Sequence, residues 1–327
     1  MIKSSLPTFL ALTLFAHGAT ALERSRPEVQ AFIDETATKF QLDKKTLGDL
    51  LGGAETKQAI LDAISRPAER VVPWHEYRDR FLIERRIQQG ADFWSAHTQD
   101  LDAIDDPSLA ETISGILGVE TSYGRITGRY RVLDALATLA FDYPPRSPFF
   151  RGELQQFLLL VREEAIDPKA ALGSYAGAMG APQFIPTSYR NWAVDGDGDG
   201  RRDLWSSWQD VIASVANYLR AHGWREGESV VVNATLADTD LTRFNVATLA
   251  LNETVRSLRE KGVSFTTGQP DDAPAMFVVL QGKNGPEYRV GFNNFYVITR
   301  YNRSTMYALA VHELGGAIQS FMQDVKR

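Results

Sequence analysis

The chain has 327 residues, 44% of them hydrophobic and 23% charged, with a formal net charge of −6. That length suits two or three domains with a large core, and the composition leaves no long disordered tail. The acidic balance argues against general binding to nucleic acid or anionic lipid, and the absence of Cys excludes disulfides and lipid attachment at a bacterial signal.

Residues 1–21 read as a secretory signal. Lys3 gives a positive start, Phe9 to Phe15 is mostly apolar, and Ala19-Thr20-Ala21 is an A-x-A cleavage site. Cleavage is expected after Ala21. It removes one Lys and no acid, taking the net charge from −6 to −7. The apolar stretch is too short to span a bilayer, and no later segment is long enough. An exported protein without a membrane anchor is expected.

Residues 22–75 are expected to form a helical packing domain. Val29, Phe32, Ile33 and Phe40 fit one helix face, Leu47, Leu50 and Leu51 begin another, and Pro67 and Pro73 punctuate the end. The next unit, 76–227, opens after Val72-Pro73-Trp74-His75-Glu76-Tyr77 with a helix-like run through Phe81, Ile87, Phe93 and Trp94. His75 is the nearby candidate base, though a lone His beside a Trp is more often structural.

The chain is organised around Ile116-Leu117-Gly118-Val119-Glu120-Thr121-Ser122-Tyr123-Gly124. Ser108-Leu109-Ala110-Glu111 has the form of a capping box, and Ile113, Ile116 and Leu117 make the apolar stripe of the helix it would start. Glu120 is the next residue on that stripe, and Gly124 is a natural stop. Burial and the negative helix end both disfavour a charged carboxylate there. Glu120 should hold a proton near neutral pH, as a general acid must. A helix-end ion pair with Arg125 or Arg129 fits this stretch equally well.

Further along, Phe141-Asp142-Tyr143-Pro144-Pro145-Arg146-Ser147-Pro148 predicts a rigid irregular segment. Helix follows, with Leu154, Phe157, Leu158 and Val161 on its core face. Gly173 to Tyr189 mixes small residues with Ser174, Gln183 and Tyr189. Neutral hydrogen-bonding groups among aromatics suit a sugar, while small residues also suit tight packing. Asp195-Gly196-Asp197-Gly198-Asp199-Gly200-Arg201 matches the start of an EF-hand loop, with Arg201 offering its carbonyl. Position 12 is Ser206 rather than Glu, so Asp210, Asp203 or Ser206 must complete a site spanning 195–210. A structural calcium ion is expected, and no organic cofactor.

A helix carrying Trp208, Val211, Ile212, Val215, Tyr218 and Leu219 ends near Gly223. Residues 228–303 then read as a small α+β domain. Its strands are expected around Val230-Val231-Val232, Ala275 to Leu280 and Tyr288 to Phe292, with a hairpin turn at Asn284-Gly285 and a short helix within 246–261. A last helix over 304–325, capped by Ser304, is expected to pack back on the helical body. The fold class is α+β and mainly α.

Taken together, Gly118-Val119-Glu120-Thr121 with Gly124, Leu133-Asp134-Ala135-Leu136-Ala137-Thr138-Leu139, Gly177-Ala178-Met179-Gly180 with Gln183-Phe184 and Pro186, the Asp-rich loop, Ser214-Val215-Ala216-Asn217-Tyr218 and Ile298-Thr299-Arg300-Tyr301-Asn302 resemble the lytic murein transglycosylases of the membrane-bound transglycosylase B type. The likeness runs over roughly residues 73–325. It implies a lysozyme-like catalytic core. It also implies cleavage of the β-1,4 bond between N-acetylmuramic acid and N-acetylglucosamine in peptidoglycan strands, leaving 1,6-anhydro ends. Glu120 matches the family's catalytic carboxylate, as acid and then base. Ser174, Gln183, Tyr218, Tyr301, Asn302 and Tyr307 match its groove residues, joined by Tyr77 and Arg146. Arg146 is a candidate partner for the muramyl lactate or stem peptide. The family's loop holds calcium with a late Asp, which favours Asp210. With no Cys for a lipid, the chain resembles a soluble periplasmic member, expected to be a monomer that works beside other cell-wall enzymes. A muramidase using a second acid, for which Asp134 and Asp142 are candidates, and a non-catalytic wall-binding protein are the competing readings.

Overall fold

The computed structural model describes residues 20–65, 72–238 and 240–325. The expected signal therefore lies outside the described residues, apart from Thr20 and Ala21. Those two form strand β1 and pair antiparallel with β2, Glu55–Thr56. Cleavage after Ala21 would remove β1. It would leave Leu22, buried and donating its N–H to the Ala54 carbonyl at 3.0 Å, as the first anchored residue.

Helices α1 (Pro27–Phe40), α2 (Lys44–Gly52) and α3 (Gln58–Ser65) come first. Pro27 sits in the first turn of α1, where its missing N–H costs nothing. Asp43 caps α2 by accepting from the Thr46 amide at 2.7 Å. Of the predicted faces Val29, Phe32 and Ile33, then Leu47 and Leu51, are buried, while Phe40, the last residue of α1, and Leu50 are only half-buried. These helices have no core of their own, however. Their apolar faces join one continuous cluster with Leu109 to Leu117 and Leu133 to Ala140, and Phe32 meets Phe141 edge to face at 5.6 Å.

Next come α4 (Trp74–Arg78), α5 (Glu84–Ala96), α6 (Thr98–Asp102) and α7 (Pro107–Thr121). The cap of α7 is Asp106, not the expected Ser108 box. Its carboxylate accepts from the Ser108 and Leu109 amides at 3.0 and 3.2 Å, and Pro107 takes the first helical position. Asp106 also accepts from the Trp224 indole at 2.8 Å, an anchor that fixes which residue caps. Strand β3 (Tyr130–Arg131) leads into α8 (Val132–Asp142), which is buried from Val132 to Phe141. A 3-10 turn, Pro144–Arg146, joins it to α9 (Ser147–Glu163). Strand β4 (Leu172–Gly173) pairs antiparallel with β3, and α10 (Pro186–Trp192) and α11 (Trp208–Ala221) follow.

A five-stranded antiparallel sheet comes next, built from β5 (Val231–Leu236), β6 (Glu253–Thr254), β7 (Val263–Ser264), β8 (Pro274–Gly282) and β9 (Gly285–Gly291), in the order β6-β8-β9-β5-β7. The hairpin turn is Lys283-Asn284, one residue earlier than expected, because Gly282 and Gly285 pair across it and Gly285 takes φ 131°. The short helix α12 covers only Val255–Glu260. Phe244, Val255, Leu258, Phe277, Val290 and Phe292 form a second apolar cluster between the sheet and α12.

Two helices close the chain, α13 (Asn293–Tyr301) and α14 (Thr305–Val325). Ser304 caps α14 by accepting from the Tyr307 amide at 3.2 Å. This helix lies chiefly against α7 and α5, rather than on α1–α3. The crossing with α7 depends on two glycines: a Cβ on Gly115 would stand 2.2 Å from the Val311 carbonyl, and one on Gly315 would stand 2.6 Å from the Glu111 carbonyl. Backbone-to-backbone approach of this kind brings Tyr307, on the first turn of α14, to the far end of α7.

Candidate active site

Glu120 lies in the last turn of α7, as the sequence predicts. The stop comes earlier than Gly124: Ser122 is already left-handed (φ 51°), and Tyr123 and Gly124 continue at φ 60° and 74°. The helix closes in a Schellman-type cap, with the Tyr123 amide donating to the Leu117 carbonyl at 3.0 Å. Three left-handed residues in a row turn the chain sharply away and leave the Glu120 side chain facing the tyrosines described next.

The Glu120 carboxyl accepts a 2.6 Å hydrogen bond from the Tyr307 hydroxyl. Loss of hydration pushes its pKa from 4.5 up to about 7, and the Tyr307 bond pulls weakly the other way. The expected ion pair with Arg125 or Arg129 is not among the described ones. Arg125 donates instead to the Ser122 carbonyl at 3.3 Å. The positive group at this helix end is Arg86, which donates to the Gly118 carbonyl and balances the helix dipole without touching the carboxyl.

Around Glu120 stands a group of phenols. Tyr301 lies parallel to Tyr307 with centroids 6.5 Å apart, and Tyr218 meets Tyr301 edge to face at 4.9 Å. Burial, followed by the charge of Glu120, raises Tyr301, Tyr307 and Tyr77 above the ordinary phenol range. These are neutral donors at any working pH. The Tyr301 hydroxyl donates to the Pro182 carbonyl at 2.6 Å and that of Tyr218 to the Arg300 carbonyl at 2.8 Å. Gln183 takes φ 53° and spends its amide N–H groups on the Thr127 and Gly180 carbonyls, at 3.0 and 2.9 Å.

Other sequence-predicted residues stand apart from this group. Ser174 is a turn residue whose hydroxyl accepts from the Ala176 and Ala178 amides at 3.2 and 3.0 Å. Arg146 is exposed, with its guanidinium over the Phe149 ring at 4.4 Å, and Asn302 is exposed just past α13. Tyr189 belongs to the core, donating to the Arg202 carbonyl. Both candidates for a second acid are engaged elsewhere: Asp134 pairs with Arg131 at 2.8 Å and Lys57 at 3.3 Å, and Asp142 pairs with Arg26 at 2.7 Å.

Sequence reasoning missed Thr121. Its hydroxyl, 1% exposed with its residue, donates to the Ala181 carbonyl at 2.9 Å and accepts from the Gly124 amide at 3.0 Å. Residues 181–183 are thus a hub. The Ala181 carbonyl takes Thr121, the Pro182 carbonyl takes Tyr301, and the Ala181 amide donates to the Leu204 carbonyl at 2.9 Å. Gly180 permits this last contact, since a Cβ there would lie 2.2 Å from the Leu204 oxygen. A polar residue with a buried neighbourhood, directly after the Glu, was the available signal.

Leu204 belongs to the Asp-rich loop. Carboxylate oxygens of Asp195, Asp197 and Asp210 lie within 4.8 Å of one another, so the late acid that joins the loop is Asp210. Asp210 is buried in the first turn of α11, and its oxygens accept from the Gly196 amide at 2.8 Å and the Asp203 amide at 2.5 Å. Asp203 closes its own turn, accepting from the Trp205 and Ser206 amides at 2.8 and 3.0 Å. Asp199 accepts from the Arg201 amide at 2.8 Å and is not in the convergent trio. Three hard oxygen donors closing on one point fit a calcium ion.

Comparison with known proteins gives the family. The transglycosylase SLT domain family matches residues 24–316. Membrane-bound lytic murein transglycosylase B of Escherichia coli strain K12 is 39% identical over 312 residues, covering 90% of this chain and 83% of that protein. The structure of the lytic transglycosylase SltB1 from Pseudomonas aeruginosa is similar with a TM-score of 0.86 at 47% identity, over 90% of this chain and 98% of that one. The E. coli lytic transglycosylase Slt35 in complex with calcium aligns at TM-score 0.80 and 36% identity, over 96% and 99%. P. aeruginosa SltB3 in complex with NAG-anhNAM-pentapeptide aligns at 0.77 and 30%, over 89% and 79%. A lysozyme-like helical body is therefore shared along nearly the whole chain, which belongs to the transglycosylase SLT family and is a lytic murein transglycosylase.

Proposed function

We propose that Glu120 performs the cleavage alone, first as acid and then as base, on the bond between N-acetylmuramic acid and N-acetylglucosamine. The observation that carries this is a single carboxyl whose pKa burial lifts to about 7, among neutral phenols, with both candidate second acids engaged in ion pairs elsewhere. In the first step Glu120 gives its proton to the glycosidic oxygen as the C1–O bond breaks. The muramyl acetamide oxygen stabilises C1, as in substrate-assisted exceptions to the two-carboxylate rule. In the second step the C6 oxygen bonds to C1 while Glu120 takes the C6 hydroxyl proton. The products are a 1,6-anhydro sugar end and a free 4-hydroxyl, and no water is consumed. The structure of SltB3 with an anhydro-muramyl pentapeptide supports this product class.

Tyr307 aims the carboxyl. Tyr301, Tyr218, Tyr77 and Gln183 form the wall against which the sugars lie, with Ser174, Asn302 and Arg146 contributing at more distant positions. Calcium, held by Asp195, Asp197 and Asp210 with Asp199 and the Arg201 carbonyl, has a structural role in this reading. It would relieve the repulsion among the loop carboxylates and fix Leu204, on which Ala181 hangs. We place the mature enzyme in the periplasm, acting on peptidoglycan strands after loss of residues 1–21. Among the described residues no helix is long and apolar enough to cross a membrane.

Glu120→Gln tests the proposal. Cleavage of purified sacculi should fall by at least two to three orders of magnitude, the usual worth of a general acid, while glycan binding persists. Residual turnover near that of the parent would sink the assignment. A wall-binding scaffold predicts no difference between the two proteins.

A further inference from the structure

A second feature lies beside the acid. Between the first turn of α5 and the end of α7 is a cavity of about 260 Å³. Ile83 and Ile126 wall it and are 44% and 69% exposed. Three arginines, Arg85, Arg86 and Arg125, line it, and no carboxylate does. Such a cluster is a local reversal of charge in a chain of net −6. None of the three forms an ion pair among the described residues. Arg86 and Arg125 donate to backbone carbonyls, those of Gly118 and Ser122. Guanidinium groups in this state still have donors to offer an anion, in the fork geometry that matches a carboxylate.

Packed side chains link the cavity to the catalytic group. The Arg86 guanidinium lies 5.9 Å from the centroid of Phe81, Phe81 packs on Tyr77 at 5.2 Å, and the charge of Glu120 acts on Tyr77. Three side chains therefore bridge the distance from acid to cavity. A peptide spans at most about 3.3–3.6 Å per residue, so three to five residues reach roughly 10–18 Å. A stem hanging from the muramyl sugar at Glu120 has that reach, and its upper end exceeds the steps of 5.9 and 5.2 Å from Arg86 through Phe81 to Tyr77 taken together.

We propose that this cavity receives the free carboxylate of the peptide stem, with Ile83 and Ile126 packing on the aliphatic part of the terminal residue. The inference rests on the peptidoglycan-cleaving reading above and adds how a stem is recognised. It makes Arg85 and Arg125 specificity residues for strands that still carry their peptides.

Binding and cleavage together test it. Calorimetry on Glu120→Gln protein would compare a disaccharide-tripeptide with its terminal amide. The acid should bind about tenfold more tightly, the low end for hydrogen bonds to charged groups. Adding Arg85→Ala and Arg125→Ala should abolish the difference, with a melting curve to show that the variant is folded. Equal affinity for acid and amide, or a preference that survives the double substitution, would overturn the inference. In the active background, the same pair of substitutions should lower the ratio of kcat/KM on peptide-bearing strands to that on amidase-stripped strands about tenfold. An unchanged ratio overturns it. Failure of the catalytic reading shows differently, as stripped strands that are not cut in a Glu120-dependent way.

Discussion

In the proposed mechanism Glu120 is the residue on which the chemistry turns, and its environment makes quantitative demands. A pKa of about 7 leaves roughly half the molecules with an acid ready near neutrality. The alkaline limb of kcat/KM should therefore fall tenfold per pH unit above about 7. Tyr307 lowers this pKa by donating to the ionised form. Tyr307→Phe should then move the alkaline limb to higher pH while costing rate through lost aim, and a limb that moves to lower pH would contradict the assignment. The same shift has a sign for stability. Between pH 4.5 and about 7 the folded state holds a proton that the unfolded state has released, so stability falls as pH rises through that window. The penalty is complete above about 7 and is on the order of 3 kcal/mol. Glu120→Gln removes it, and denaturant unfolding should show the variant more stable than the parent at pH 8 but not at pH 4.

At the scale of elements, α7 is held at both ends, and each anchor can be cut. Thr121→Val removes the hydroxyl that ties the helix end to Ala181 and leaves that buried carbonyl without its partner. The cost should be about 1–3 kcal/mol in stability, with a fall in kcat larger than any change in KM, and Thr121→Ser should recover most of both. Gly115→Ala forces a methyl into the Val311 carbonyl at the α7–α14 crossing. Overpacking of this kind costs about 1–3 kcal/mol, and here it should also displace Tyr307, so activity should drop with the melting temperature. The α7 stripe and the buried Glu were legible in the sequence because apolar periodicity is local information. The Asp106 cap was not, because its choice over Ser108 depends on Trp224, 118 residues away. The role of Thr121 was hidden for the same reason: its partner Ala181 is 60 residues distant.

Across the whole molecule, the main departure from the sequence reading is the absence of a separate core under the N-terminal helices. Periodicity gave most of their buried faces but carries no information about which partner covers them, and they join the cluster that holds α7 and α8. The antiparallel sheet was legible because β-rich runs and a turn signal lie close together, although pairing of Gly282 with Gly285 moved the turn by one residue. At the site, motif positions brought Tyr218, Gln183, Tyr301 and Tyr307 to one place, yet they could not show that Ser174 spends its hydroxyl on a turn. The Asp-rich loop is tied to residues 181–183, since the Ala181 amide donates to the Leu204 carbonyl. Chelation should lower the melting temperature by mass action, in proportion to the calcium affinity. An identical melting curve in chelator and in millimolar calcium would mean that the loop holds no ion.

The measurement that bears most directly on the central claim is mass spectrometry of sacculi digested by the mature protein beside its Glu120→Gln variant. Muropeptides one water lighter than hydrolysis would give, absent with the variant, are the predicted result. Reducing-end products from the parent would keep Glu120 as the acid but contradict the single-carboxylate, water-free second step.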